Sequence, residues 1–294
     1  MTHAAGALLD AGLSPLEVRA VISNALEEDL GAAGDVTTKA TIPAALVGAA
    51  DLVSRAYGVV AGLPVAAAVF EQVGQGRVRV EFGSADGARV TPGEVIASVY
   101  GPVRDLLTAE RTALNLLGHL SGVASLTRLW VDAIDGTGAK MRDTRKTLPG
   151  LRRLQKYAVR CGGGVNHRMS LSDAALVKDN HVAAAGGIVA AFKQVRADYP
   201  DIPIEVEADT VAQAVAVIDA GADLVLLDNM SPADMRKVVE YARGRAQLEA
   251  SGALTLDRAR AVAETGVDFL AVGALTHSAP VLDIGLDITR TETR

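Results

Sequence analysis

Aromatic side chains are scarce. Phe, Trp and Tyr make up only 3% of the 294 residues, too few for the stacked platforms that hold single-stranded nucleic acid. Positive charge is not in excess either. A formal net charge of -6 and a pI near 5.4 argue against a general binder of nucleic acid or other polyanions. The single cysteine, Cys161, excludes an internal disulfide and suits a reducing, cytoplasmic setting. It has no evident partner for nucleophilic chemistry and reads as a small packing residue. Long apolar runs are missing as well. The longest uncharged one, Ala56 to Phe70, has 15 residues and contains Pro64 and two glycines, too short and too broken to cross a membrane. No basic-then-apolar signal pattern opens the chain. What is present is 49% hydrophobic residues at a mean hydropathy of +0.24, enough at this length for a large core and two domains.

Taken in order, residues 1 to 13 are rich in Ala and Gly and read as loosely held. Ser14-Pro15-Leu16-Glu17 then carries a helix start, with Ser14 as cap, Pro15 in the first turn and Glu17 closing a capping box. This helix should bury Leu16, Val21, Ile22 and Leu26 and stop near Gly31. Gly34 to Thr38, GDVTT, reads as a loop with strand-forming residues. Residues 46 to 100 read as short strands and turns around one helix near 64 to 73. Arg77 to Phe82 alternates charged and apolar residues, the mark of a half-buried strand. Residues 105 to 134 are strongly helical, and Gly118 and Gly122 would allow close helix packing. His119 reads as a hydrogen-bonded core residue, and Arg111 as a surface ion pair with Glu110 or Asp105.

From Ala139 the pattern changes to short apolar strands near 139–143, 174–178, 203–207, 223–227, 246–249 and 268–272. Helical segments fit between them at 150–160, 183–198, 210–220, 232–243 and 255–265. Such alternation implies a parallel sheet. Nearly every strand ends in polar or Gly residues, where both barrels and doubly wound sheets place their ligands. The pattern leaves those two topologies open.

Cations crowd the first part of this region. Residues 139 to 168 carry nine Lys or Arg against one acid, Asp143, inside an otherwise acidic chain. A local cationic field of this kind points to an anionic small molecule. Arg152, Arg153, Lys156 and Arg160 read better as a solvated basic helix. Arg145, Lys146, His167 and Arg168 flank Pro149-Gly150 and the Gly162-Gly163-Gly164 run, where backbone can approach a ligand closely. Glu205 and Glu207 alternate with apolar residues on one strand, and Asp228 ends the next. Carboxylates at adjacent strand ends either hold Mg²⁺ or balance nearby lysines. Ser251-Gly252-Ala253 and Val272-Gly273-Ala274 follow the last two strands and read as tight turns or as a phosphate cradle.

Four phrases, TRKTLPGLR, KYAV, GGGVNHR and LVKDNH, in this order and spacing, strongly resemble the quinolinate phosphoribosyltransferase family, and the resemblance runs from about Glu28 to Asp287. It implies an α/β fold: an incomplete six- or seven-stranded α/β barrel over 119–275. An N-terminal α+β sandwich over 1–118 would precede it, and a tail, 276–294, would pack back on that sandwich. It implies transfer of phosphoribosyl from phosphoribosyl pyrophosphate to quinolinate with loss of CO₂. In the family's pattern quinolinate meets Arg111, Thr144, Arg145, Lys146, His167, Arg168 and Lys178, with Arg111 supplied by the partner subunit of a homodimer with shared sites. Lys146, Lys178, Glu207 and Asp228 would be catalytic and meet phosphoribosyl pyrophosphate. Glu207 and Asp228 would also hold Mg²⁺, and residues 251–253 and 272–274 would cradle the 5'-phosphate. Glu205 matches no role and reads as structural.

Rival readings are a phosphoribosyltransferase for a related base such as nicotinate, an aldolase-like barrel with Lys178 as Schiff base, and a non-catalytic nucleotide-binding protein. Lys178 also reads as an interior ion pair with Asp179 or Glu207.

Overall fold

The computed structural model describes residues 3–293. The chain divides into two compact units. The first is Met1–Leu126 with Leu148–Gly162 and Ser278–Arg294; the second is Thr127–Thr147 with Gly163–His277.

The first unit begins with helix α1, His3–Asp10, where a loose segment was expected. Ala4 and Leu8 are buried, which ties the segment down. Helix α2, Pro15–Leu30, starts where its signals placed it: the Ser14 side chain accepts the Glu17 N–H, and Gly31 caps the end. It buries Val18, Ile22 and Leu26, whereas Leu16 is 79% exposed because the first-turn position points away from the core. The GDVTT phrase is not a loop. Asp35 accepts the Thr38 N–H and opens helix α3, Val36–Thr41, so an N-cap overrides the strand preference of Val and Thr.

Strand β1 (Leu46–Ser54), β2 (Gly58–Val59), helix α4 (Leu63–Gly74), β3 (Arg79–Phe82), β4 (Arg89–Val90) and β5 (Val95–Pro102) follow. Helix α4 is buried almost all round, as expected of a helix that is hydrophobic on every face. Helix α5 runs from Val103 to Ala133. Gly118 and Gly122 do not receive another helix; they receive the returning chain. A Cβ on Gly122 would meet the Pro280 carbonyl, and Leu282 donates its N–H to the Gly118 carbonyl at 3.0 Å.

The chain next forms β6, Lys140–Arg142, before helix α6, Arg152–Cys161, which belongs to the first unit. This basic helix is only partly solvated. Arg153 pairs with Glu17 at 3.1 Å, but Lys156 is fully buried. His119 meets Gln155 at 2.9 Å, and burial lowers its pKa.

The second unit continues with β7 (Ala175–Val177), α7 (Asp179–Ala184), α8 (Ile188–Asp198), β8 (Ile204–Ala208), α9 (Val211–Asp219), β9 (Leu224–Asp228), α10 (Pro232–Ala242), β10 (Gln247–Ser251), α11 (Leu256–Ala263), β11 (Phe269–Ala271) and α12 (Ala274–His277). The helix expected over 183–198 is broken in two, because Gly186 and Gly187 both take positive φ. The strand order is β6-β11-β10-β9-β8-β7, parallel throughout, and Val165 adds one parallel bridge outside Arg142. This is the incomplete barrel. Arg142 on β6 reaches Glu249 on β10 at 2.8 Å although β11 lies between them, so the sheet curls and its inward side chains converge. The chain then returns to the first unit as β12, Ile284–Thr293, which pairs antiparallel with β1 in a sheet ordered β12-β1-β5-β3.

Candidate active site

The C-terminal strand ends of the barrel enclose a cavity of about 630 Å³. Its walls hold Thr144, Arg145, Lys146, His167, Arg168 and Lys178 together with Glu207, Asp228, Ser251, Gly252, Ala253 and Gly273. Residues up to 130 apart in sequence meet here because each sits at or just past the end of a parallel strand. A second space of about 900 Å³ shares Arg145, Arg168 and Lys178 but is otherwise mostly apolar beside β7. The smaller cavity carries the carboxylates as well as the cations, and is the candidate site.

Behind β6 the chain makes a tight turn. Thr144 Oγ1 accepts the Lys146 N–H at 3.0 Å, and the Lys146 carbonyl accepts the Thr276 hydroxyl at 2.8 Å. A Cβ on Gly273 would lie 2.9 Å from Lys146 Cδ, so this glycine makes room for the lysine stem.

Fully buried Asp143 accepts the His167 N–H at 2.8 Å and the Asn166 amide at 2.5 Å. Arg168 follows, with its guanidinium on the Ala174 carbonyl at 2.8 Å. Burial, and then the adjacent Arg145 guanidinium, pull the Arg168 pKa below its ordinary value. Two crowded guanidinium groups beside one cavity gain from an anion between them.

Across the cavity Lys178 Nζ meets Glu207 Oε2 at 2.5 Å. Asp228 Oδ2 accepts the Asn229 amide at 2.7 Å. Each carboxylate is engaged through one oxygen and has a second to offer. This donor set is hard, oxygen-only and flanks a cation-rich cavity, which fits Mg²⁺, an ion that takes one or two protein carboxylates and completes its shell with water and phosphate oxygens.

Beneath these groups lies a layer that sequence reasoning missed. Arg142, Glu205 and Glu249 come from alternate strands β6, β8 and β10, the usual way a barrel fills one interior layer. Glu205 is 3% exposed and Glu249 is fully buried. Glu205 meets His167 Nε2 at 2.6 Å and Glu249 meets Arg142 at 2.8 Å. Burial pushes both carboxyl groups up to about 7, against the pull of the neighbouring cations. Glu249 alternates with buried Leu248 and Ala250 in a strand, the pattern of a residue on a single face, but no local feature says what lies opposite.

Asn229 was also missed. It holds φ +53°, donates its N–H to the Ser251 carbonyl at 3.1 Å and accepts the Ala253 N–H at 3.1 Å. A side chain on Gly252 would strike it. The Ala253 N–H, expected to face a phosphate, is thus turned to Asn229. Val272 is buried with its N–H on the Arg142 carbonyl, and neither Val272 nor Ala274 lines the cavity. Arg111 lies in the first unit, exposed on α5. Asp105, one of its expected partners, pairs instead with Arg77 at 3.0 Å. Burial pushes the Cys161 thiol up to about 11, which suits a packing residue and not a nucleophile.

Fold and site define an incomplete α/β barrel whose C-terminal strand ends bring Arg145, Lys146, Arg168 and Lys178 together with Glu207 and Asp228 around one cavity. The chain belongs to the quinolinate phosphoribosyltransferase family: profiles described as "Quinolinate phosphoribosyl transferase, N-terminal domain" and "C-terminal domain" match residues 35–121 and 123–287. It is 52% identical to the nicotinate-nucleotide pyrophosphorylase [carboxylating] of Mycobacterium leprae over 92% of this chain and 96% of that protein. It is 39% identical to a probable enzyme of the same name from Bacillus subtilis, over 94% and 95%. A solved nicotinate-nucleotide pyrophosphorylase from Francisella tularensis superposes with a TM-score of 0.87 at 37% identity, over 93% of this chain and 96% of that one.

Proposed function

We propose that this chain transfers the phosphoribosyl group of phosphoribosyl pyrophosphate to quinolinate and releases pyrophosphate and CO₂, leaving nicotinate mononucleotide. It is a pentosyltransferase, and its product feeds NAD synthesis. The observation that carries the reading is the composition of one cavity: Arg145, Lys146, Arg168 and Lys178 face Glu207 and Asp228 across about 630 Å³. Two carboxylates on a pyridine ring need planar, paired donors, which Arg supplies; phosphates need compact charge, which Lys supplies.

In the reaction the ring nitrogen forms a bond to ribose C1 as the C1–O bond to pyrophosphate breaks. The alkylated ring is then positive at nitrogen. It can hold the electron pair left at C2 when CO₂ departs, and a solvent proton takes that position. Lys146 and Lys178 neutralise the leaving pyrophosphate, and Glu207 and Asp228 supply negative charge to a cation-like ribose centre. Glu207 and Asp228 would hold Mg²⁺, which supplies further charge neutralisation at the phosphates. Arg145, Arg168 and Thr144 orient quinolinate, and Gly252 with Ser251 borders the 5'-phosphate.

The site is completed by Arg111 of the partner subunit in a homodimer. Arg111 is exposed on α5, available to a second chain. The acidic chain, with one cysteine and no helix long and apolar enough to cross a membrane among the described residues, fits work in the cytoplasm. The test is incubation with quinolinate and phosphoribosyl pyrophosphate, measuring CO₂ and nicotinate mononucleotide. Both should appear in equal amounts, and nicotinate in place of quinolinate should turn over at least about a hundredfold more slowly, because cations built for a second carboxylate stay unpaired. Equal turnover of both bases would return the protein to a general pyridine phosphoribosyltransferase.

A further inference from the structure

Asn229 stands between two parts of the site. It follows Asp228 at the end of β9 and lines the same cavity. Its backbone is left-handed, φ +53°, and carries its N–H to the Ser251 carbonyl at 3.1 Å, one step beyond the Asp228–Ser251 pairing that ends the β9–β10 ladder. Asn is one of the few residues with a side chain that take this conformation readily.

Closing the strand end uses the backbone alone, but the side chain makes two further contacts. Its Oδ1 accepts the Ala253 N–H at 3.1 Å, and its Nδ2 donates to Asp228 Oδ2 at 2.7 Å. Together they fix which way the amide points. A backbone N–H meets only the oxygen end, and a carboxylate only the NH₂ end. Gly252 completes the arrangement. A Cβ there would lie 2.7 Å from Asn229 Cγ and 2.8 Å from its backbone nitrogen, so a glycine lets the 251–253 turn come this close to the amide.

We propose that Asn229 is a positioning residue that acts through Asp228 and the 251–253 turn. One amide ties the carboxylate that meets ribose or Mg²⁺ to the turn that borders the 5'-phosphate, so two parts of phosphoribosyl pyrophosphate meet groups already held at a fixed separation. By occupying Asp228 Oδ2 it leaves Oδ1 for the ligand. By occupying the Ala253 N–H it withdraws that donor from the phosphate. The ligand named here rests on the function proposed above; the contacts of Asn229 do not.

The competing account is a purely structural one, in which Asn229 closes the end of β9 and nothing more. That account predicts a loss of stability with no preference between the two substrates. It also leaves the contact with Asp228 without a use.

Two variants and two measurements test this. Asn229→Gly keeps the left-handed backbone and removes both side-chain contacts. Asn229→Asp keeps an acceptor for the Ala253 N–H, but loses the donor to Asp228 and sets a second negative charge beside it. Hydrogen exchange at the exposed Ala253, whose N–H is held by this side chain, should speed up about tenfold or more in the Gly variant and stay near wild type in the Asp variant. Unchanged exchange in the Gly variant overturns the proposal, whatever the substrate is. In steady-state kinetics at saturating Mg²⁺, both variants should raise KM for phosphoribosyl pyrophosphate about tenfold or more, with KM for quinolinate moved by less than about twofold. A wild-type KM for phosphoribosyl pyrophosphate in either variant, an equal rise in both KM values, or a loss confined to kcat or heat stability overturns it. If the wild type itself does not turn quinolinate over, the functional reading fails while the exchange measurement still decides whether Asn229 holds the turn.

Discussion

Lys178 Nζ and Glu207 Oε2 stand 2.5 Å apart across the ends of neighbouring strands β7 and β8, with the lysine 47% exposed and the carboxylate 11%. In sequence an interior ion pair with Asp179 or Glu207 reads as a companion to a substrate-site role for Lys178. In the structure the contact with Glu207 is made, and both residues line the cation-rich cavity. A charge pair at a cavity mouth can open toward an incoming phosphate at modest cost, because exposed pairs contribute little.

The Mg²⁺ role proposed for Glu207 and Asp228 predicts metal dependence. Dialysis against EDTA should abolish turnover and Mg²⁺ should restore it. Glu207→Gln and Asp228→Asn should each raise the Mg²⁺ concentration for half-maximal rate by about tenfold or more, since one of two carboxylate ligands is lost. Full activity in metal-free buffer would remove the metal role.

Arg145 tests geometry against charge. Arg145→Lys keeps the charge but loses the planar fork that matches a carboxylate. We expect kcat/KM for quinolinate to fall by about a hundredfold, equivalent to roughly 3 kcal/mol. Steady-state kinetics with near-normal values would show that a point charge suffices.

Arg111 tests the shared site. Arg111→Ala and Lys146→Ala homodimers should each be nearly inactive. Co-expressed or co-refolded, half of the dimers are mixed and carry one intact site, so roughly a quarter of wild-type activity should return. Mixed dimers as inactive as their parents would place the whole site within one subunit.

Glu249 tests the buried layer through pH. Burial, with Glu205 alongside, raises its carboxyl to about 7. The folded state therefore holds a proton that the unfolded state has released between the ordinary glutamate pKa and 7. The stabilisation from that proton is complete below the ordinary glutamate value and is lost as pH rises through 7. Glu249→Gln should flatten the decline of unfolding free energy between about pH 5 and about pH 8 by on the order of 2 kcal/mol. Denaturant unfolding across that range reads it, and parallel curves for wild type and variant would count against a raised carboxyl.

All six barrel strands and most of their helices were legible in the chain, because a short apolar run closed by polar residues is a local property. Arg145, Lys146, Arg168, Lys178, Glu207 and Asp228 line one cavity because parallel strands deliver their C-terminal ends to one place; their grouping in one site was implied by the family resemblance and not by the pattern. Helix α3 was missed because a cap outweighed residue preference, and Gly186-Gly187 broke a helix that propensity had joined. Lys156 looked solvated because neighbouring basic residues are, yet helix α6 buries that face. What only the tertiary structure decided is the interior layer. Arg142, Glu205 and Glu249 lie far apart in sequence on alternate strands, and no periodicity states which charged side chains meet when a sheet curls. The same holds for Asn229, whose left-handed backbone matters only because the turn at Gly252 comes up against it, and for His167, which lines the cavity and also lies 2.6 Å from the buried Glu205 carboxylate.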